Sequence, residues 1–170
     1  MITAIIEAGD DEVGLAHALA ALVPAATEGV VRDVIVIDRR SDADTALIAD
    51  AAGCVLIDAA AHHNAERAAV DEARGDWLFF VPQQTLPPEW QNDALAFIDR
   101  AMVNGRAQTQ VAVFRGGRLP SGPIDWLRGF FRGGSPARLV AKSAWLAEQP
   151  RGAIRRSAVS SVSGARRGAA

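Results

Sequence analysis

Polar and charged residues follow short apolar runs at three points of the chain, over residues 7–11, 38–41 and 81–85. Among them, Arg39 and Arg40 carry planar guanidinium groups, each of which can hold a phosphate through two parallel hydrogen bonds. The two arginines are therefore able to bind an anion of that kind. The alternative is that both arginines are solvated residues of an ordinary turn.

The sequence offers few cysteine and histidine ligands for a metal centre. Cys54 is the only cysteine, so a cysteine cluster and an internal disulfide are both excluded. His62 and His63 are adjacent, and on a helix their side chains would point about 100° apart. We therefore expect Cys54 to be a small core residue and the two histidines to serve as surface or capping residues.

The spacing of apolar residues predicts the elements that must position these groups, because strand-like and helix-like periods alternate along the chain. The predicted strands cover residues 2–7, 33–38, 54–57, 77–81, 108–114 and 137–142. The predicted helices cover residues 10–23, 41–52, 62–74 and 88–103, with a short last helix that ends near Glu148. Pro24 is expected to end the first helix.

This alternation predicts an α/β protein with three layers, α/β/α, around a mostly parallel central sheet. The strand over residues 77–81 is expected to be central because both of its faces are apolar. Ligands of open α/β sheets bind outside the carboxyl ends of the strands. All three polar stretches are therefore expected at one edge of the sheet.

Composition and charge divide the chain of 170 residues into two parts. Residues 1–150 are expected to form one domain, and their excess of acidic side chains argues against a specific nucleic-acid surface. Residues 151–170 contain five arginines and no acidic residue, which predicts a basic, disordered tail. We find no secretory signal and no apolar run long enough to span a membrane, so a cytoplasmic protein is expected.

The segment Trp126–Arg132 interleaves large apolar side chains with arginines. Its apolar residues lie on one helix face, which is typical of core packing. The alternatives are contact with an acceptor and peripheral contact with the inner face of a membrane. The basic tail over residues 151–170 is a second candidate for such membrane contact.

Three stretches in this order resemble the nucleotide-binding part of family 2 glycosyltransferases, inverting enzymes with the GT-A fold. They are ITAIIEAGDDEVGLAHALAAL, DVIVIDRRSDADTALIADAAG and ARGDWLFFVPQQTLPPEW, and they lie within about the first 90 residues. The resemblance implies a GT-A fold and a nucleotide-diphosphate sugar as ligand. It also implies a nucleotide site with these residues: Glu7, Ala8, Asp38, Arg39, Arg40, His62 and Arg67.

The third stretch departs from the family at its Asp-x-Asp metal motif. Pro82 and Gln84 stand where the two carboxylates would be, with Gln83 between them. Neutral amides do little to dehydrate a divalent cation, so no metal cofactor is expected. Arginines would then stabilise the diphosphate.

An inverting transfer also needs a general base for the acceptor hydroxyl. Asp125 is the candidate, although its alternative role is to cap a helix over residues 124–131. Ser135 stands where the family carries a downstream carboxylate.

The amino-acid sequence leaves three functions open. The first is a metal-independent glycosyltransferase that moves a sugar from a nucleotide-diphosphate donor to an unknown acceptor. The second is a non-catalytic module that binds a nucleotide or nucleotide sugar. The third is a scaffold that binds no such ligand, because fold alone does not fix function.

Overall fold

The computed structural model describes residues 1–83, 86–105, 110–114 and 136–148, together with the backbone of residues 159–162. Its strands are β1 (Ile2–Ala8), β2 (Val31–Asp38), β3 (Val55–Asp58), β4 (Trp77–Val81), β5 (Val111–Phe114), β6 (Ala137–Ala141) and β7 (Val159–Val162). Its helices are α1 (Glu12–Thr27), α2 (Ala43–Ala51), α3 (Ala65–Glu72), α4 (Trp90–Val103) and α5 (Lys142–Glu148).

The described strands form one sheet in the order β3-β2-β1-β4-β6-β5-β7. Strands β3, β2, β1 and β4 run parallel to one another, whereas β6 runs antiparallel to both β4 and β5. The predicted α/β class is confirmed, and β4 has the predicted central place in the sheet. The two apolar faces of β4 are both covered, as its sequence indicates.

Helices cover both faces of the sheet. Alternate residues of each central strand point to opposite sides, so Ile6 and Phe79 face one core and Ile5 and Leu78 face the other. The first core is covered by α1, α2 and α4, and the second by α3 and α5. This gives the three layers that the sequence predicts. Among the helices described here, none combines the length and the hydropathy needed to cross a bilayer.

The prediction that Pro24 ends the first helix is wrong, because α1 continues through Pro24 to Thr27. Proline removes only one backbone donor, and the next turn is retained by packing and by its cap. Ala25 is fully buried, and the Glu28 N–H donates to the Pro24 carbonyl at 3.0 Å. Gly29 then leaves the helix with a φ of +72°.

Other element boundaries differ from the sequence expectation by one to three residues, among them the starts of β2 and α3. Strand β2 begins at Val31 rather than at residue 33, in register with the start of β1. Helix α3 begins at Ala65 rather than at His62, because the Asn64 side chain accepts a hydrogen bond from the Arg67 N–H and caps the helix there. His62 instead follows a short 3₁₀ turn over Ala59–Ala61.

Strand β7 is an element that the sequence analysis did not predict. It pairs in parallel with β5, with Val111 opposite Val159 and Phe114 opposite Val162. The rest of the segment over residues 151–170 lies outside the described residues.

A buried polar cluster holds the amino-terminal edge of the sheet. Thr3 is fully buried, and its hydroxyl donates to the Asp33 carboxylate and accepts from the Gly75 N–H at 2.8 Å. The second Asp33 oxygen accepts from the Arg74 N–H at 3.1 Å. The turn before β4 is therefore fixed against β1 and β2.

This close approach explains why glycine stands at residue 75. A Cβ atom there would lie 2.6 Å from the Thr3 backbone nitrogen and 2.8 Å from the Met1 carbonyl oxygen. Both atoms belong to the backbone, so neither can swing aside. The Arg-Gly-Asp sequence that enters β4 thus has a packing reason for its glycine.

Gly75→Ala is expected to lower the free energy of unfolding by about 1–3 kcal/mol, because the backbone must move to accept a methyl group. Urea denaturation measures the change. Gly9→Ala is the matched control, since its Cβ would make only an ordinary contact, 3.7 Å from the Gln83 side chain. Equal stability losses in the two variants would contradict this account of Gly75.

Candidate functional site

The carboxyl ends of β1, β2 and β3 lie side by side and form the candidate site. Ala8 pairs with Asp38, and Asp38 pairs with Asp58 on the other side. The Arg39 N–H donates to the Ala8 carbonyl at 3.2 Å, so the chain leaves β2 still attached to β1. The polar stretches after these strands are therefore neighbours, as expected for a parallel sheet.

The Asp38 side chain organises the turn that follows β2. Its Oδ1 atom accepts hydrogen bonds from the N–H groups of Arg40 at 2.9 Å and Ser41 at 3.0 Å. Its Oδ2 atom accepts from the Asp42 N–H at 2.8 Å. Asp38 is only 2% exposed, so these backbone donors replace the water that a carboxylate needs. The carboxylate is directed at its own turn.

The two arginines of this turn are paired with one acidic residue at the end of β1 and one in the loop that follows it. Arg39 Nη2 lies 2.8 Å from Glu7 Oε1, and Arg40 is paired with Asp10. All four side chains are about half exposed or more. The structure thus brings Glu7, Arg39 and Arg40 together at one solvent-accessible edge.

Gln83 connects the end of β4 to the loop after β1. Its Oε1 atom accepts from the Gly9 N–H at 3.2 Å, and its Nε2 atom donates to the Asp11 carbonyl at 3.1 Å. The Asp11 side chain in turn caps α1 by accepting from the Gly14 N–H at 2.8 Å. Both ends of the Gln83 amide are therefore in use. Pro82 is half-buried beside it, and Gln84 lies outside the described residues.

The remaining predicted nucleotide-site residues lie beyond this cluster. Arg67 is on α3, where its Nε atom lies 3.0 Å from both carboxylate oxygens of Asp71, one helical turn further on. His62 is exposed and follows the 3₁₀ turn after β3. Its nearest link to the cluster is electrostatic, through Asp58.

Asp58 also belongs to this edge, although it lies outside the three polar stretches selected from the sequence, and it contacts Ser41 of the stretch over residues 38–41. The Ser41 hydroxyl donates to Asp58 Oδ1 at 2.7 Å, and Ser41 has a φ of +55°, which is uncommon for a residue with a side chain. This hydrogen bond, the Ala60 N–H and the nearby His62 together lower the pKa of Asp58. The sequence signal for Asp58 was its position directly after the predicted strand over residues 54–57.

The remaining candidate residues lie partly inside and partly outside the described ranges. Cys54 is half-buried and packs against the core, and burial raises the pKa of its thiol. Within the described ranges, no three histidine, cysteine or acidic side chains are grouped as ligands for one metal ion. Asp125, Ser135 and the segment Trp126–Arg132 lie outside the described residues.

Asp38→Asn is expected to lower the free energy of unfolding by about 1–3 kcal/mol in the absence of any ligand, because an amide NH2 would face backbone N–H donors. Thermal or urea denaturation measures the change. Asp10→Asn alters an exposed carboxylate on the same edge and should change stability by less than about 0.5 kcal/mol. Similar effects of both variants would show that Asp38 does not hold the turn.

Ser41→Ala is expected to raise the pKa of Asp58 toward the ordinary value of an aspartate, because the largest contribution to its lowering is removed. An NMR titration of the Asp58 carboxyl carbon measures this. Ser41→Gly also lacks the hydroxyl but tolerates the positive φ, so it should raise the pKa equally. A rise in the alanine variant alone would mean that backbone rearrangement, and not the lost hydrogen bond, is the cause.

Comparison with solved structures identifies proteins that share this architecture. Crystal structures of glucosyl-3-phosphoglycerate synthase from Mycobacterium tuberculosis superpose on 84% of the chain with a TM-score of 0.55. One, in complex with phosphoglyceric acid, is 18% identical in sequence. Another, in complex with Mn²⁺ and uridine-diphosphate-glucose, is 19% identical. A structure described as a mycobacterial protein is 20% identical, with the same TM-score.

The chain spans little more than half of these proteins, 57%, 56% and 54% of their respective lengths. No protein-family model and no curated protein matches the sequence. At this identity the likeness establishes the fold alone. The described part of the chain has the α/β fold of GT-A glycosyltransferases, as the sequence resemblance implies.

Proposed function

We propose that the chain binds a nucleotide-diphosphate sugar at the carboxyl ends of β1 and β2 and takes part in sugar transfer. The observation that carries the proposal is the pair of guanidinium groups of Arg39 and Arg40, about half exposed on the turn that leaves β2 beside Ala8. This is the edge at which α/β sheets of this kind bind ligands. Two structural neighbours are complexes with uridine-diphosphate-glucose, which agrees with that ligand class.

Each residue of this edge has a distinct part in the proposal. Arg39 and Arg40 neutralise the diphosphate, because a planar guanidinium group can donate two parallel hydrogen bonds to two oxygens of one phosphate. Asp38 keeps the turn in place through its three backbone hydrogen bonds, so that both arginines start from fixed positions. Its role is thus positioning rather than direct contact with the nucleotide.

The proposed site works without a divalent metal. Mn²⁺ is part of several neighbouring complexes, whereas the end of β4 in this chain is followed by Pro82 and Gln83. Pro82 has no side-chain donor, and the Gln83 amide is already held by Gly9 and Asp11. A neutral amide in two hydrogen bonds is a poor ligand for a hard cation, so these residues do not fit the metal. Guanidinium groups supply the positive charge for a diphosphate leaving group instead.

A second candidate is a non-catalytic module that binds the same ligand. The observation that favours it is that the Asp38 carboxylate and the Gln83 amide, which lies between the two metal-motif positions, are both occupied by structural hydrogen bonds. Binding is common to both candidates, and only turnover separates them. The candidate base Asp125 belongs to the transfer reaction alone.

Calorimetric titration with UDP, GDP, TDP, CDP and their sugar conjugates tests the proposal, with each ligand measured in Mn²⁺ and in EDTA. We expect one nucleotide family to bind equally well under both conditions. Binding should also raise the melting temperature, since a ligand at 100 times its Kd adds about 2.7 kcal/mol of stability.

Arg39→Ala should weaken binding by at least about tenfold, which is the loss of one charged hydrogen-bond pair. Arg100→Ala is the matched control, because Arg100 lies near the end of α4 and donates to the Ala96 carbonyl of its own helix. Failure of every nucleotide to bind would reject both candidates and leave the scaffold interpretation. Release of nucleoside diphosphate from a bound sugar conjugate would select the enzyme over the module.

A further inference from the structure

Two ion pairs join the end of β1 and the loop that follows it to the turn after β2. Glu7 is paired with Arg39, and Asp10 is paired with Arg40. Each pair connects residues 30 or more positions apart in sequence, so neither arises from local helix geometry. The two guanidinium groups that a diphosphate would use are thus already held by carboxylates of the protein itself.

The side chains of these pairs can exchange partners without disturbing the fold. Their exposed fractions range from 48% for Arg39 to 75% for Asp10, and exposed ion pairs contribute little to stability. The backbone beneath them is fixed separately, by the buried Asp38 carboxylate and by the Arg39 N–H bond to Ala8. Opening the pairs therefore leaves the turn in place.

The neighbouring acidic residues have other roles. Asp11 caps α1 by accepting from the Gly14 N–H, and its carbonyl accepts from Gln83. Glu12 lies in the first turn of α1, outside both ion pairs. Asp38 is engaged by its own turn, and Asp58 by Ser41 and Ala60. Glu7 and Asp10 are thus the carboxylates that compete with a ligand for the two arginines.

We propose that Glu7 and Asp10 form an exchangeable latch on Arg39 and Arg40, which a diphosphate opens by replacing both carboxylates at once. The inference rests on the proposed function, since it assigns selectivity to the same site. An anion with one phosphate exchanges one ion pair for another of the same kind and must also give up its translational freedom. A diphosphate presents linked charges to both adjacent guanidinium groups, so its second contact forms at high effective concentration.

Loss of a latch carboxylate should strengthen ligand binding, whereas loss of a carboxylate that contacts the ligand should weaken it. Glu7→Gln and Asp10→Asn should each tighten the binding of inorganic pyrophosphate by about two- to fivefold, because a competitor is removed from an arginine. Binding is measured by calorimetry on the full chain in EDTA at 0.15 M salt. Inorganic phosphate should bind at least about tenfold more weakly than pyrophosphate.

Two controls separate the latch from a general change in charge. Glu12→Gln removes one negative charge from the first turn of α1, directly after that loop, and, with screening at this salt concentration, should change the Kd by less than about 1.5-fold. In an Arg39→Ala background, Glu7→Gln should give no gain, because the arginine that it would release is absent. Coupling between residues 7 and 39 is the specific signature of the latch.

Equal or weaker pyrophosphate binding in Glu7→Gln and Asp10→Asn would overturn the latch, and so would equal gains in Glu12→Gln. Absence of pyrophosphate binding in every variant would overturn it as well. If nucleotides bind the unaltered chain but the two variants show no gain, the latch fails and the proposed function stands. If the variants show the gain with pyrophosphate while no nucleotide binds, the latch stands and the proposed function fails.

Discussion

The candidate site depends on one buried carboxylate. Asp38 is nearly inaccessible to water, and a charge in that position is stable only because three backbone N–H groups of the next turn point at it. The same bonds fix the direction in which the chain leaves β2. Arg39 and Arg40 are presented at the sheet edge as a consequence, and Ser41 is forced into its left-handed conformation. An acidic residue that by resemblance would contact the nucleotide acts in the structure as the anchor of the turn.

The two edges of the sheet are stabilised in different ways. At the amino-terminal edge, Thr3, Asp33 and Gly75 form a tight, buried cluster in which backbone atoms approach too closely for a Cβ. At the carboxyl edge, the contacts of Arg39 and Arg40 are exposed ion pairs, which contribute little to stability. The candidate site thus combines a backbone turn that the buried Asp38 carboxylate fixes with charged side chains that are exposed to solvent. The fold is therefore held by buried contacts at both edges, and the exposed ion pairs at the site add little to its stability.

Gln83 connects the end of β4 to a neighbouring loop. It lies between the two positions, 82 and 84, at which the resembled family carries carboxylates, and its amide is hydrogen-bonded to Gly9 and Asp11. The loop that carries Asp10 is thereby fixed next to Arg40. The turn after β2 and the end of β4 are therefore connected through this one loop.

The sequence by itself determined the fold class, the alternation of strands and helices from β1 to β4, and the edge of the sheet at which the polar residues gather. These features follow from local patterns. The periods of apolar residues identify strands and helices, and a helix between two strands indicates a parallel connection. It did not determine that α1 would pass through Pro24, because burial of Ala25 outweighs the loss of one hydrogen bond. Nor did it indicate strand β7, whose pairing with β5 joins distant parts of the chain.

Partner choice at the site was decided only by the tertiary structure. Arg39 and Arg40 were identified from sequence as cations for an anion, but their pairing with Glu7 and Asp10 requires β1 and β2 to be neighbours in register. Arg67 was identified in the same way and is paired instead with Asp71 on its own helix. A charged side chain binds the opposite charge that the fold places nearest. Sequence therefore specifies which groups are available, and the packing of strands specifies which of them meet.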